Sequence, residues 1–143
     1  MRVICYFIFL SFSFTVFSQN KQVVFTPKAP KPIGPYSQGI LTGNTLYVAG
    51  QLGIKPDGSL DSTSIETETT LVLENIKAIM EAAKMNLKNV AKATVYMTDL
   101  RNFKKMNDIY ATYFPENPPA RETVEVKALA RGAHIEISVI AVR

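Results

Sequence analysis

Between Thr63 and Ala83 the apolar positions fall at Ile65, Val72, Ile76, Ile79 and Ala83, with Thr69 in register and Leu73 and Met80 beside them. Steps of four and three put these residues on one broad stripe, which predicts a helix of about five turns. Thr63, followed three residues later by Glu66, reads as its capping box. Elsewhere the period is two. Lys21 to Phe25 has strand character, and Gln38–Leu41 and Leu46–Ala49 flank Gly43-Asn44 as a hairpin. Val90 to Met97 alternates as a strand. A second helix is expected from about Asn102 to Phe114, with Phe103, Met106, Tyr110 and Tyr113 on one face and Asp99 or Asn102 as its cap. Pro115 to Pro119 stops it, and strands follow at about Glu122–Leu129 and Ala133–Val142. Thr26 to Pro35 holds four prolines, so no helix or central strand runs through it. The predicted order β, β-β, α, β, α, β, β is that of an α+β domain with two helices on one face of a mixed sheet.

Composition changes this picture at one place, the N-terminus. Five of the eight Phe and the single Cys, Cys5, lie in the first 18 residues, as part of an apolar run from Val3 to Phe17 behind Arg2. A short positive end, an apolar stretch too short to cross a bilayer and a small residue before a polar one form a secretory signal peptide. Residues 1–18 are therefore expected to be removed near Ser18/Gln19. That leaves a domain over 19–143, secreted or periplasmic and not stably attached to a membrane. It would hold 125 of the 143 residues, no Cys, and 15 Lys plus Arg against 12 acids. A chain of that size buries a core without disulfides or metal. Its lysines are scattered instead of interleaved with aromatics, so nucleic acid is not an expected partner.

The residue inventory narrows the chemistry. There is one His, no Gly-rich phosphate loop and no Cys after residue 5, which excludes the common nucleophilic triads and multi-ligand metal sites, so no metal is expected. His134, without an evident partner, reads as a surface histidine. Two charged residues stand out. Arg121 follows the stiff Pro118-Pro119-Ala120 at a strand start, and a guanidinium can grip a carboxylate with two parallel bonds. Glu136 sits in mid-strand, opposite in phase to Ile135 and Ile137, where it meets solvent, a partner subunit or a pocket. Pattern alone accommodates an Arg-Glu surface pair, or two solvated charges, equally well.

Seven segments are familiar in this order: Ile33-Gly-Pro-Tyr-Ser-Gln38, Ala49-Gly-Gln51, Leu73-Glu-Asn-Ile-Lys-Ala-Ile79, Thr98-Asp-Leu100, Met106-Asn-Asp-Ile-Tyr110, Pro118-Pro-Ala-Arg-Glu-Thr-Val-Glu-Val126 and Gly132-Ala-His-Ile-Glu-Ile137. Together they resemble the Rid (YjgF) family of reactive intermediate deaminases, its RidA branch above all, over residues 22–143. The resemblance implies a chorismate-mutase-like fold and a homotrimer with sites between subunits. It implies cofactor-independent hydrolysis of 2-imino acids and their enamines, the 2-aminoacrylate class, to 2-oxo acids and ammonia. It also implies roles: Arg121 as carboxylate clamp, Glu136 as the group that directs water, and Tyr36, Gly50, Asn107 and Thr123 as substrate contacts. One position departs, since Ala49 stands where the RidA branch often has a Ser before Gly-Gln. An exported trimer that binds small carboxylates without turnover is the alternative expectation. The nuclease or translation-inhibitor activity reported for some relatives finds no dedicated residues.

Overall fold

The computed structural model describes residues 20–143, and the predicted signal segment lies outside them. Eight principal elements follow one another: β1 (Gln22–Val24), β2 (Gly39–Thr42), β3 (Thr45–Leu52), α1 (Ile65–Ala82), β4 (Val90–Met97), α2 (Phe103–Tyr113), β5 (Ala120–Glu125) and β6 (Ile135–Val142). The strands form one sheet in the order β1-β2-β3-β6-β4-β5. All neighbours are antiparallel except β4 and β5, so the sheet is mixed, as the order of periods implies. The helix α1 packs against β3 and β6 and alongside α2, giving two layers.

The apolar stripe of α1 is what holds these layers together. Val72, Leu73, Ile76, Ile79 and Met80 have no exposed surface, and neither do Ala93, Val95, Met97, Ile135 and Ile137 on the facing strands. Burying a side chain of this size contributes about 1.5–3 kcal/mol. Among the described residues, the opposite sheet face carries no helix. There, Ile40, Tyr47, Ile140 and Lys92 form one cross-strand row, and Glu136, Tyr96 and Val124 form another. Tyr47 and Val124 are each more than two-fifths exposed.

Three boundaries differ from the sequence pattern for local reasons. Ser64, not Thr63, caps α1 and accepts from the Thr67 N–H at 3.1 Å. Thr63 is drawn into the preceding turn, its hydroxyl donating to Asp61 at 2.6 Å. Asp99 caps a short 3-10 turn at Leu100–Asn102, while Asn102 makes no side-chain bond at the start of α2. β5 runs over Ala120–Glu125 instead of Glu122–Leu129 because its sole partner among the described residues is β4, whose ladder ends at Met97 opposite Glu125. Arg121 therefore lies within a strand, not ahead of one.

Candidate functional site

In β5, Arg121 is the Cα partner of Ala93 and Thr123 of Val95, both residues buried beneath the helices, so the two side chains leave the sheet on its helical side. There α2 receives the guanidinium. The Arg121 Nη2 donates to the Asn107 Oδ1 at 2.6 Å, and its carbon lies 4.5 Å from the Tyr110 ring centroid and 5.8 Å from that of Phe103. Cation–π stacking on two rings and one amide bond hold the fork in place while leaving further N–H groups free. Among the described residues no carboxylate pairs with it.

Two hydroxyls of this region are buried without a hydrogen-bond partner: Thr123 Oγ1 and the Tyr110 phenol. Burial pushes the Tyr110 phenol up to about 12 against the opposing pull of Arg121. A buried hydroxyl left unbonded costs roughly 1–3 kcal/mol, so an unfilled donor on the same side as an arginine with N–H groups to spare favours an incoming acceptor. Arg121, Asn107 and Thr123, which the resemblance implies as substrate contacts, lie on one side of the sheet.

Glu136 is on the other side. It pairs with Tyr96 on β4 and Leu52 on β3, between the inward-facing Ile135 and Ile137. Register between β3 and β6 slips between Val48 and Gln51, so Ala49 and Gly50 together occupy the space opposite Ser138. This bulge brings the Gly50 backbone under the Glu136 carboxylate, and a Cβ at position 50 would run into its carboxylate oxygen. Only glycine allows that approach. The Gln51 side chain folds back and donates to the Ala49 carbonyl at 3.0 Å and the Gly50 carbonyl at 3.3 Å, satisfying groups that the bulge removes from the ladder.

The bulge opens into a cleft of about 520 Å³ that Tyr36, Ala49, Gly50 and Glu136 help to line. Burial raises the Glu136 pKa above the ordinary carboxylate value, because desolvation penalises the charged form. A carboxyl adjusted upward in a cleft, beside exposed backbone, is suited to accepting and returning a proton. Tyr36 reaches the cleft on the proline-rich loop, which the buried Gln38 organises. Its amide accepts from the Thr26 N–H at 2.7 Å and donates to the carbonyls of Thr26 and Pro30 at 3.0 and 2.9 Å.

Four contributors escaped sequence reasoning. Gln38 and Gln51 are buried polar residues whose role is to bond backbone, and Lys31 and Arg131 line the same cleft from separate loops. A Gln closing each of two glycine-containing segments was the one available signal. His134 also needs correcting, since it is not partnerless: its Nδ1 lies 3.0 Å from the fully buried Glu68 carboxylate, which also accepts from the His134 N–H at 2.8 Å. The pair fastens the first turns of α1 to the start of β6, and the partner went unseen because Glu68 falls 66 residues earlier in the chain. Among the described residues no three His, Cys, Asp or Glu side chains gather around one point as metal ligands.

Residues 26–143 match the family described as Endoribonuclease L-PSP. A RutC family protein of Pyrococcus horikoshii is 53% identical over 122 residues, covering 85% of this chain and 97% of that protein. The crystal structure of a conserved Rid family protein of unknown function from Yersinia pestis is 45% identical, superposes with a TM-score of 0.83, and is covered over its whole length by 87% of this chain. The chain belongs to the Rid family. Its mixed sheet with two helices is the Rid architecture. Among curated Rid relatives, the human protein named 2-iminobutanoate/2-iminopropanoate deaminase is 41% identical over 124 residues, 86% of this chain and 90% of that protein. Relatives bearing deaminase names support a Rid enzyme in general, whereas those at higher identity carry only the RutC family name.

Proposed function

We propose that this chain hydrolyses 2-imino acids to 2-oxo acids and ammonia, in a site that one subunit cannot complete. The observation that carries this reading is the division of the charged pair. Arg121 leaves the sheet on the helical side and Glu136 on the open side, so a ligand held by one cannot touch the other in the same copy. Two copies solve this by placing the β5–α2 edge of one over the cleft of the next. Such a heterologous contact makes a ring where its rotation closes, and the homotrimer implied by the family resemblance is such a ring. The apolar residues left on the open face supply area for the contact.

The chemistry then follows from the groups. Arg121 grips the substrate carboxylate with its free N–H groups, and Thr123 can donate to it. Glu136 accepts a proton from water, whose oxygen bonds to the imine carbon as the C=N π electrons move to nitrogen. Glu136 returns that proton to the nitrogen, giving a carbinolamine, then takes the proton of the new hydroxyl and passes it to the same nitrogen, so the C–N bond breaks and ammonia leaves as the carbonyl forms. Water supplies the oxygen of the 2-oxo acid, no electrons are gained or lost, and the enamine enters by tautomerising to the imine first. Removal of residues 1–18 would place this activity outside the cytoplasm, and N-terminal sequencing of the native protein tests it: a chain that retains Met1 or begins elsewhere overturns the export reading.

Complementation tests the split site. R121A and E136Q, each expected to retain about 1% of activity or less alone, are unfolded together and reassembled in equal amounts. In mixed rings about a quarter of the sites pair an intact Arg121 with an intact Glu136 from different chains, so about a quarter of wild-type ammonia release should return. No recovery in demonstrably mixed oligomers would overturn the division of the site. If the wild type releases ammonia no faster than buffer yet binds 2-oxo acids, the chain is a carboxylate-binding module instead.

A further inference from the structure

The Glu136 cleft is lined by two cations that a simple imino acid does not use. In the reading above, the substrate's one carboxylate is taken by Arg121 from the neighbouring copy. Lys31 and Arg131 nevertheless line the cleft around Glu136. Neither takes part in an ion pair among the described residues. The one further acid in the lining, Asp57, is engaged, since its Oδ1 accepts from the Ser59 N–H at 2.8 Å and the Ser59 hydroxyl at 2.7 Å. Burial acts on Glu136 with no cation offsetting it, so its carboxylate is not their partner either.

Arg131 is also held in position. Its backbone adopts φ 63°, a left-handed conformation uncommon for a side chain with a Cβ, and Gly132 continues at φ 73°. Its Nη2 donates to the Gly58 carbonyl at 3.1 Å, joining the turn before α1 to the loop before β6 across the cleft mouth. That bond occupies one of the five guanidinium donors. The rest are available to a ligand.

We propose that Arg131, assisted by Lys31, selects 2-imino acids whose side chain carries a second carboxylate. The distal carboxylate pairs with Arg131 and Lys31 in the cleft while Arg121 of the adjoining copy holds the α-carboxylate and Glu136 works on the imine carbon between them. Arg131 is a specificity residue in this scheme and takes no part in the bond changes. The proposal rests on the hydrolytic reading above, and its test separates the two.

Imines are generated in situ by a flavin oxidase, from D-glutamate for the dicarboxylic case and from D-norvaline for an uncharged side chain of the same carbon count. Removal of semicarbazide-trappable imine is measured for the wild type, R131Q and K31Q. R131Q removes the charge together with the bond to Gly58, and an unchanged thermal midpoint checks that the fold survives the loss. The wild type should favour the dicarboxylic imine in kcat/KM by about tenfold, the effect of one exposed charge-assisted bond. R131Q should bring that ratio close to one, and K31Q should lower it less. A ratio near one in the wild type, or one that neither substitution moves, overturns the proposal and leaves both cations as solvated surface charges. Absence of turnover on both imines would instead defeat the hydrolytic reading. Calorimetric binding of 2-oxoglutarate against 2-oxopentanoate, in wild type and R131Q, then reads the same selectivity without chemistry, and equal affinities overturn it.

Discussion

The two halves of the candidate site occupy opposite faces of one sheet and are built by different means. Around Arg121, position comes from packing: aromatic rings of α2 at 4.5 and 5.8 Å, a 2.6 Å bond to Asn107, and helices covering the strand beside it. Around Glu136 it comes from backbone: a bulge, a glycine beneath the carboxylate, and glutamine amides that bond the carbonyls which loop and bulge leave unpaired. The first device holds a permanent charge still. The second keeps a titratable group partly desolvated yet reachable, which proton transfer needs and anion binding does not. A sheet with one covered and one open face offers both environments, but never to the same ligand within one subunit.

The largest effect expected from breaking this contrast lies on the packed side. R121A should lower kcat/KM roughly a thousandfold, the loss of two charge-assisted bonds, with the fold retained by circular dichroism. R121K should recover little, because an ammonium lacks the planar fork. Activity within tenfold of wild type in either variant would remove the clamp.

E136Q comes next, with kcat falling about a hundredfold and KM nearly unchanged. Because burial raises the Glu136 pKa and the carboxylate must be ionised to take a proton, kcat should fall on acidification at a pH above the ordinary carboxylate range. The sign for stability is opposite to that of a salt-bridged acid. The folded chain holds this proton more tightly than the unfolded one, so stability declines as pH rises through the unfolded and then the folded pKa. E136Q should flatten that slope in urea titrations at several pH values. An acid limb unmoved from the ordinary range would contradict the role of burial.

G50A tests the backbone device, since the new Cβ must displace the Glu136 carboxylate. A fall of about tenfold in kcat is expected, with R121-dependent binding of 2-oxo acids preserved. Loss of binding and catalysis together would show that the halves are not separable. The smallest effect belongs to A49S, which restores a hydroxyl to the cleft lining. A shift of about two- to threefold in selectivity among imines is expected from one exposed hydrogen bond.

Much of the fold was legible because it depends on period. The stripe from Ile65 to Ala83 and the alternation at Val90–Met97 and Ile135–Val142 recur in the structure nearly residue for residue, since each element needed one continuous apolar face. Caps and strand ends were less legible. Thr63 and Ser64 are chemically equivalent candidates, and only the turn that engages Asp61 decides between them. In the site, Arg121 and Glu136 could be singled out by residue type and context, and Tyr36, Gly50, Asn107 and Thr123 by resemblance. What escaped was everything that acts over long separations: Glu68 against His134, Gln38 against the proline loop, and Arg131 against Gly58, which are 66, 12 and 73 positions apart.

By itself the sequence determined the elements, the two-layer arrangement, the family and the two charged groups on which a reaction can rest, because side-chain type and spacing are local properties. The tertiary structure decided where those groups point. A strand sends alternate residues to opposite faces, but which phase meets the helices depends on register across the sheet. That register sets Arg121 beside Ala93 and Glu136 beside Tyr96. The sheet therefore separates, within one chain, two residues that the proposed chemistry requires together.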